Sequence, residues 1–144
     1  MKREIKFRGK RATGMWAYGN LIEMPKEYIK GCWQRQYGIC LPENEKIIKV
    51  DSATVGQFTG LLDKNGKEIY EGEIITIKDY KEEKYVRKII KYIPKKAAFC
   101  AANITELHFT AWEVWHPITQ KYINELNFEV IGNIHDNPEL LTQK

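Results

Sequence analysis

Cysteine is scarce in this chain. Among 144 residues only Cys32, Cys40 and Cys100 are present, an odd number with no CxxC pair. Neither a disulfide framework nor a zinc site is expected, and the count fits a reducing compartment. Long apolar runs are missing as well. Nothing reaches the roughly eighteen residues that a membrane-spanning helix needs, and no apolar stretch follows the basic opening MKREIKFRGKR to make it a signal peptide. The expectation is a cytoplasmic protein without membrane attachment. Also absent are GxxxxGK[ST], GxGxxG and HExxH, and no serine or cysteine sits in a nucleophile elbow or triad context. No cofactor and no metal are therefore expected.

What is present is an ordinary globular composition, 43% hydrophobic and 29% charged, which argues against disorder. The length corresponds to a single domain, 1–144, large enough to bury a core without staples. The formal charge of +4 is uneven: residues 1–11 carry +5 and residues 78–96 another +5, against −2 over 12–77 and −4 over 97–144. Two basic segments on a nearly neutral body point to a nucleic acid partner, or to lysine-guarded strand edges.

Strand patterns dominate. Ile5 and Phe7 alternate with charged residues, which predicts an opening strand with those two facing inward. Gly14 then breaks toward Met15–Gly19, where Trp16 and Tyr18 share a period-2 face, so a first hairpin is expected. Residues 20–45, punctuated by Pro25, Gly31, Gly38 and Pro42, read as irregular. Lys46–Val50 is a short β-branched strand, and Asp51-Ser52-Ala53-Thr54 reads as a turn or cap. Asp63-Lys64-Asn65-Gly66 is strong turn chemistry between the arms 58–62 and 67–70. Gly72 precedes the apolar strand 74–78, as at a bulge or a barrel corner.

Residues 84–93 carry apolar residues at helical spacing but are rich in Val, Ile and Tyr, and are read as strand. One or two further strands are expected over 97–116, a short helix opening at Pro117, a strand over 127–134 and a terminal helical turn capped by Asn137. The fold class is all-β, mainly antiparallel, barrel-like or sandwich, with one or two short helices.

Candidate chemistry competes with plainer readings. Asp63, Glu68, Glu71 and Glu73 could converge as an acid/base pair or metal site, but no histidine lies near them in sequence. The DKNG segment has its glycine fourth, where a calcium loop of the EF-hand type needs it sixth. His108 and His116, with Glu113 between them, lack metal-site spacing, and His135 is remote in sequence. Aromatic residues are numerous: Trp16, Tyr18, Trp33, Tyr37, Trp112, Trp115 and Tyr122. Interleaved with lysines they could form a stacking platform for single-stranded nucleic acid, although filling a small β-core is their commoner use. The residues that would serve such a platform are Lys6, Arg8, Lys10, Arg11 and Trp16 in the first basic segment, and Lys84, Arg87, Lys88 and Lys91 in the second.

With FRGK, TVGQFTGLLDKNGKEIYEGEIITI and FEVIGNIHDNPELL in view, the chain resembles the YopX family of small β-rich proteins encoded mainly by bacteriophages and prophages. The resemblance spans the chain. It departs from the usual pattern at Glu73, where an aspartate is common, and at His135, where an aromatic residue is common. It implies a complex, mostly antiparallel β-fold and a phage or prophage origin in a bacterial host, and it brings no catalytic residues. Gly60, Asp63, Asn65, Gly66, Gly72, Gly132 and Asn133 read as determinants of the fold, with the glycines at turns or close approaches and Asn65 in a left-handed turn.

Three functions follow in order. The first is a non-enzymatic protein that binds a macromolecule or acts as an adaptor. The second is a nucleic-acid-binding module using segments 1–11 and 78–96. The third is an enzyme built on Asp63, Glu71, Glu73 and a histidine. The partner, protein or nucleic acid, and any self-association are left open.

Overall fold

A computed structural model describes residues 3–104 and 117–142. Of the span 97–116, where one or two strands are expected, residues 105–116, with Trp112, Trp115, His108, Glu113 and His116, lie outside the described residues. Chain packing divides into two compact units, 1–58 and 59–144.

In the first unit β1 (Phe7–Lys10), β2 (Trp16–Ile29), β3 (Cys32–Cys40), β4 (Ile47–Val50) and the start of β5 (Gly56–Leu62) form an antiparallel sheet of order β4-β3-β2-β1-β5. The expected first hairpin is there, closed by Arg11–Met15 with Gly14 at φ 86°. One sheet face is lined by Ala17, Ile39, Leu41 and Val50, with Phe7, Leu21 and Ile48 packed on them. Gly9 belongs to this face because Val50 leaves no room: a Cβ there would meet Val50 Cγ2 at 2.7 Å.

Two expectations change here. Phe7 packs inward, but Ile5 precedes the strand and is 62% exposed. The irregular segment 20–45 is in fact a long hairpin, β2–β3, in register from Asn20↔Cys40 to Ile29↔Cys32. Its turn is Lys30-Gly31, both residues at positive φ, 49° and 85°, which is the two-residue turn whose twist matches that of paired strands. Pro25 does not end β2; it falls in the register shift between Met24 and Glu27, where a missing N–H is tolerated.

In the second unit the rest of β5 pairs with β6 (Glu68–Tyr70), and β7 (Glu73–Asp79), β8 (Lys84–Ile93), β9 (Ala98–Asn103) and β10 (Glu129–Asn133) form an antiparallel sheet of order β10-β7-β8-β9. Residues 84–93 are strand: helical spacing loses to the β-branched side chains that pair with β7 and β9. Ile75, Ile77 and Ile90 share a core with Phe99, Ile118, Ile123, Phe128 and Val130. Ile74, Ile89 and Ile104 on the other face pack with Ile131, Ile134, Leu140 and Leu141, so Ile74, Ile75 and Ile77 of β7 are all buried because both of its faces are covered.

Pro117 does not open the helix. It bridges to Cys100 while Ile118 donates to the Phe99 carbonyl, and α1 (Gln120–Glu125) begins after Thr119, whose hydroxyl accepts from the Tyr122 N–H at 3.1 Å. Asn137 precedes the 3-10 turn Pro138–Leu141 but does not cap it with its side chain, which accepts from the Asn133 N–H instead. Among the described residues the strands form open sheets and no closed barrel.

Candidate functional site

The first basic segment is partly brought together. Lys6, Arg8 and Lys10 alternate with Phe7 and Gly9, so their side chains take the sheet face opposite the apolar one. Arg8 pairs in register with Tyr18 and Lys10 with Trp16, and Phe58 donates its N–H to the Lys6 carbonyl. The outcome is a row of cations on aromatic rings: Lys6 Nζ lies 5.1 Å from the Phe58 ring centre, and the Arg8 guanidinium and Lys10 Nζ lie 4.3 and 5.8 Å from that of Trp16. Such contacts are worth roughly 0.5–2 kcal/mol each, more when desolvated. Arg8 is only 4% exposed, so it serves the stack beneath the surface. Arg11 lies apart, in the hairpin turn, with its Nε buried.

The second basic segment does not form a patch. Lys84 and Lys88 alternate with Arg87 and Lys91 along β8, so the four divide between two sheet faces. Lys84 pairs with Glu82, Lys88 donates to the Asn103 side-chain oxygen, and Arg87 donates to the Leu140 carbonyl at 3.3 Å. Charge that looked continuous along the chain is split by the pleat.

The central carboxylates are bound to backbone. Asp63 is 5% exposed. Its Oδ1 accepts from the N–H groups of Asn65 and Lys67 at 2.8 and 2.9 Å, and its Oδ2 from Val130 N–H at 3.0 Å. One side chain thus closes the 63–66 turn and holds β10 beside it. Gly66, at φ 78°, supplies the left-handed residue, while Asn65 is not left-handed as expected; a type I turn followed by a left-handed glycine needs only one such position. Glu73 is buried and accepts from Tyr70 N–H at 2.9 Å across the turn that Gly72 makes at φ 86°. Glu68 accepts from the Tyr70 hydroxyl and Glu71 from Tyr92 N–H.

Near the C-terminus, Asn133 accepts from His135 and Asp136 N–H and donates to the Asp136 carboxylate. Gly132 is required by space: a Cβ would meet Asn137 Oδ1 at 2.5 Å. Gly60 takes a left-handed φ of 84° within β5, which favours glycine there. Among the described residues no three His, Cys, Asp or Glu side chains are grouped to hold a metal ion.

One surface feature went unread in the sequence. Beyond the reach of β1 and β4, the β2–β3 hairpin continues as a two-stranded arm. Near its tip Tyr28 and Trp33 are cross-strand partners, packed edge to face at 5.5 Å between ring centres, yet 64% and 69% exposed. Arg35–Glu23 at 3.8 Å links the two strands of the arm, and the Lys49 side chain of β4 reaches Glu27 on it at 2.8 Å. The Lys30-Gly31 pair was the signal that could have found it.

These features define a mainly antiparallel all-β protein whose central motif residues seat its turns. The family model described as YopX protein matches residues 6–142, and the chain belongs to the YopX family. No curated protein matches the chain. Among solved structures, the crystal structure of protein EF1440 from Enterococcus faecalis is similar at 23% identity and a TM-score of 0.55, over 98% of this chain and 100% of that one. At that identity the likeness concerns the fold.

Proposed function

We propose that this chain is a non-enzymatic binding or adaptor protein of phage or prophage origin, acting in the cytoplasm of a bacterial host. The observation that supports this reading is the exposed Tyr28–Trp33 pair on a projecting arm. Large rings with few rotamers bind at low entropic cost and are enriched at protein interfaces. The carboxylates that an enzyme would use are occupied by backbone N–H groups. A photo-crosslinker placed at Tyr28 in the full chain, with a control at exposed Lys95, tests the reading in host extract. One reproducible partner joined through position 28 and not 95, and lost with Trp33→Ser, is expected. Equal labelling from both positions would count against it.

A second reading, nucleic acid binding, draws on the row Lys6, Lys10 and Trp16. It predicts salt-dependent affinity for single-stranded DNA that falls when Lys6 and Lys10 become alanine. Absence of binding at low ionic strength ends it.

A further inference from the structure

The two edges of the arm differ. On the β2 edge, which β1 leaves uncovered beyond Gly19, Pro25 and the register shift at Met24/Glu27 interrupt the backbone. Proline, bulges and lysine (here Lys26) are the devices that prevent a strand edge from recruiting another strand. On the β3 edge, β4 pairs only with Tyr37–Cys40. The remaining stretch, Cys32-Trp33-Gln34-Arg35-Gln36, is regular, free of proline and glycine, and mostly exposed. One edge is guarded and the other is not.

We infer that the open β3 edge pairs antiparallel with the same edge of a second copy of this chain, about a two-fold axis through Gln34. This names a partner for the arm that the proposed function already uses, and it rests on that reading. The register follows from the turn. In a hairpin closed by a two-residue loop, the flanking residues Ile29 and Cys32 exchange hydrogen bonds with each other. Alternation then aims the backbone N–H and C=O of Trp33 and Arg35 outward, and those of Gln34 inward. A dyad at Gln34 sets Trp33 of each copy opposite Arg35 of the other, the arrangement in which both outward pairs exchange two hydrogen bonds.

The side chains agree with that register. Directly opposed residues share a sheet face, so each Arg35 guanidinium comes beside the exposed Trp33 ring of the other copy. Arginine on tryptophan is the favoured cation–π pair. Among the described residues Arg35 is otherwise committed only to a 3.8 Å contact with Glu23, both side chains being mostly exposed. Trp33 is held on one side by Tyr28, which leaves its far side for Arg35 of the second copy. A chain with leucine or lysine at both positions would offer no such self-complementarity. Five residues per copy make a small interface, so the association is reversible and concentration-dependent.

Disulfide trapping reads the register in the full-length protein. Opposed residues that do not exchange hydrogen bonds have Cα atoms about 4.5 Å apart, within the disulfide range of about 4.4–6.8 Å. In a Cys32→Ser background, Gln34→Cys is expected to form a covalent dimer on mild oxidation, whereas Arg35→Cys, whose opposite neighbour is Trp33, is not. Sedimentation of the native chain is expected to shift from the 16.9 kDa monomer toward twice that mass as concentration rises, and Trp33→Ala to weaken dimerisation about tenfold.

The inference is overturned if the native chain stays monomeric up to roughly 1 mM, the weakest association of interest. It is also overturned if Gln34→Cys and Arg35→Cys cross-link equally, or if a dimer forms that Trp33→Ala does not weaken. A chain that is monomeric alone but still joins a host partner through position 28 sinks the inference and leaves the proposed function standing.

Discussion

The turns at Lys30-Gly31 and at Asp63–Gly66 both reverse an antiparallel pair, and they do it by different means. The first uses two left-handed residues and nothing outside the hairpin. The second uses one left-handed glycine and a buried carboxylate that reaches Val130 N–H, 67 positions away in sequence. A turn tied to a distant strand cannot move without disturbing that strand, whereas a turn tied only to itself leaves its hairpin at liberty. In this molecule the motif-rich turn serves the fold, and the plain one carries the exposed aromatic residues. Residues that stand out in the sequence are therefore, in this molecule, the ones that seat the fold.

Substitutions sharpen the contrast. The largest loss is expected from Asp63→Ala, which leaves three backbone N–H groups without their carboxylate. A drop of about 3 kcal/mol in unfolding free energy is expected, measured by denaturant titration, with no comparable loss from any single change at the arm tip. Gly132→Ala comes next, at about 2 kcal/mol, because its Cβ must displace the Asn137 side chain that accepts from Asn133 N–H. Gly66→Ala and Gly31→Ala each force a left-handed alanine into open space and should cost about 1 kcal/mol. Hydrogen exchange should separate them: the Gly66 change acts on the fold as a whole, the Gly31 change only on the arm. Trp33→Ser should shift stability by less than about 0.5 kcal/mol while abolishing cross-linking from position 28.

Thiol chemistry offers a further comparison. Cys32 is exposed near the arm tip and Cys100 is buried, where burial pushes its thiol above the ordinary cysteine value. The folded state therefore keeps Cys100 protonated, and the stability from this group is lost only as pH rises through that alkaline range. Alkylation at pH 8 is expected to label Cys32 rapidly and Cys100 only after unfolding. Equal rates would show that the β9 core opens as easily as the arm.

Much of the architecture was legible where side-chain pattern and burial act on the same residues. The 63–66 turn, the strand 74–78 and the β-branched run 84–93 could be read because local chemistry and packing agree there. Three features could not. Arg8 is buried against the Trp16 ring, and no alternation of charge along the chain reveals a cation stacked there. The 78–96 charge run looked like one surface because sequence order hides the pleat that divides it. The arm is hidden in the sequence because Pro25 and Gly31 read as breaks, when one sits in a bulge and the other in the turn that makes the hairpin. Of the nine residues proposed for nucleic acid, the fold gathers Lys6, Arg8, Lys10 and Trp16, leaves Arg11 in the hairpin turn, and divides the four on β8 between the two faces of their own sheet.

Amide hydrogen exchange of the dilute native protein measures the difference between the two turns most directly. The amides of Asn65, Lys67 and Val130, all donating to Asp63, should exchange only through global unfolding, while those of Trp33 and Arg35 exchange orders of magnitude faster. Fast exchange at Val130, or protection at Trp33 equal to it in a dilute monomer, would contradict the division between a turn that seats the fold and a turn that closes only its own hairpin.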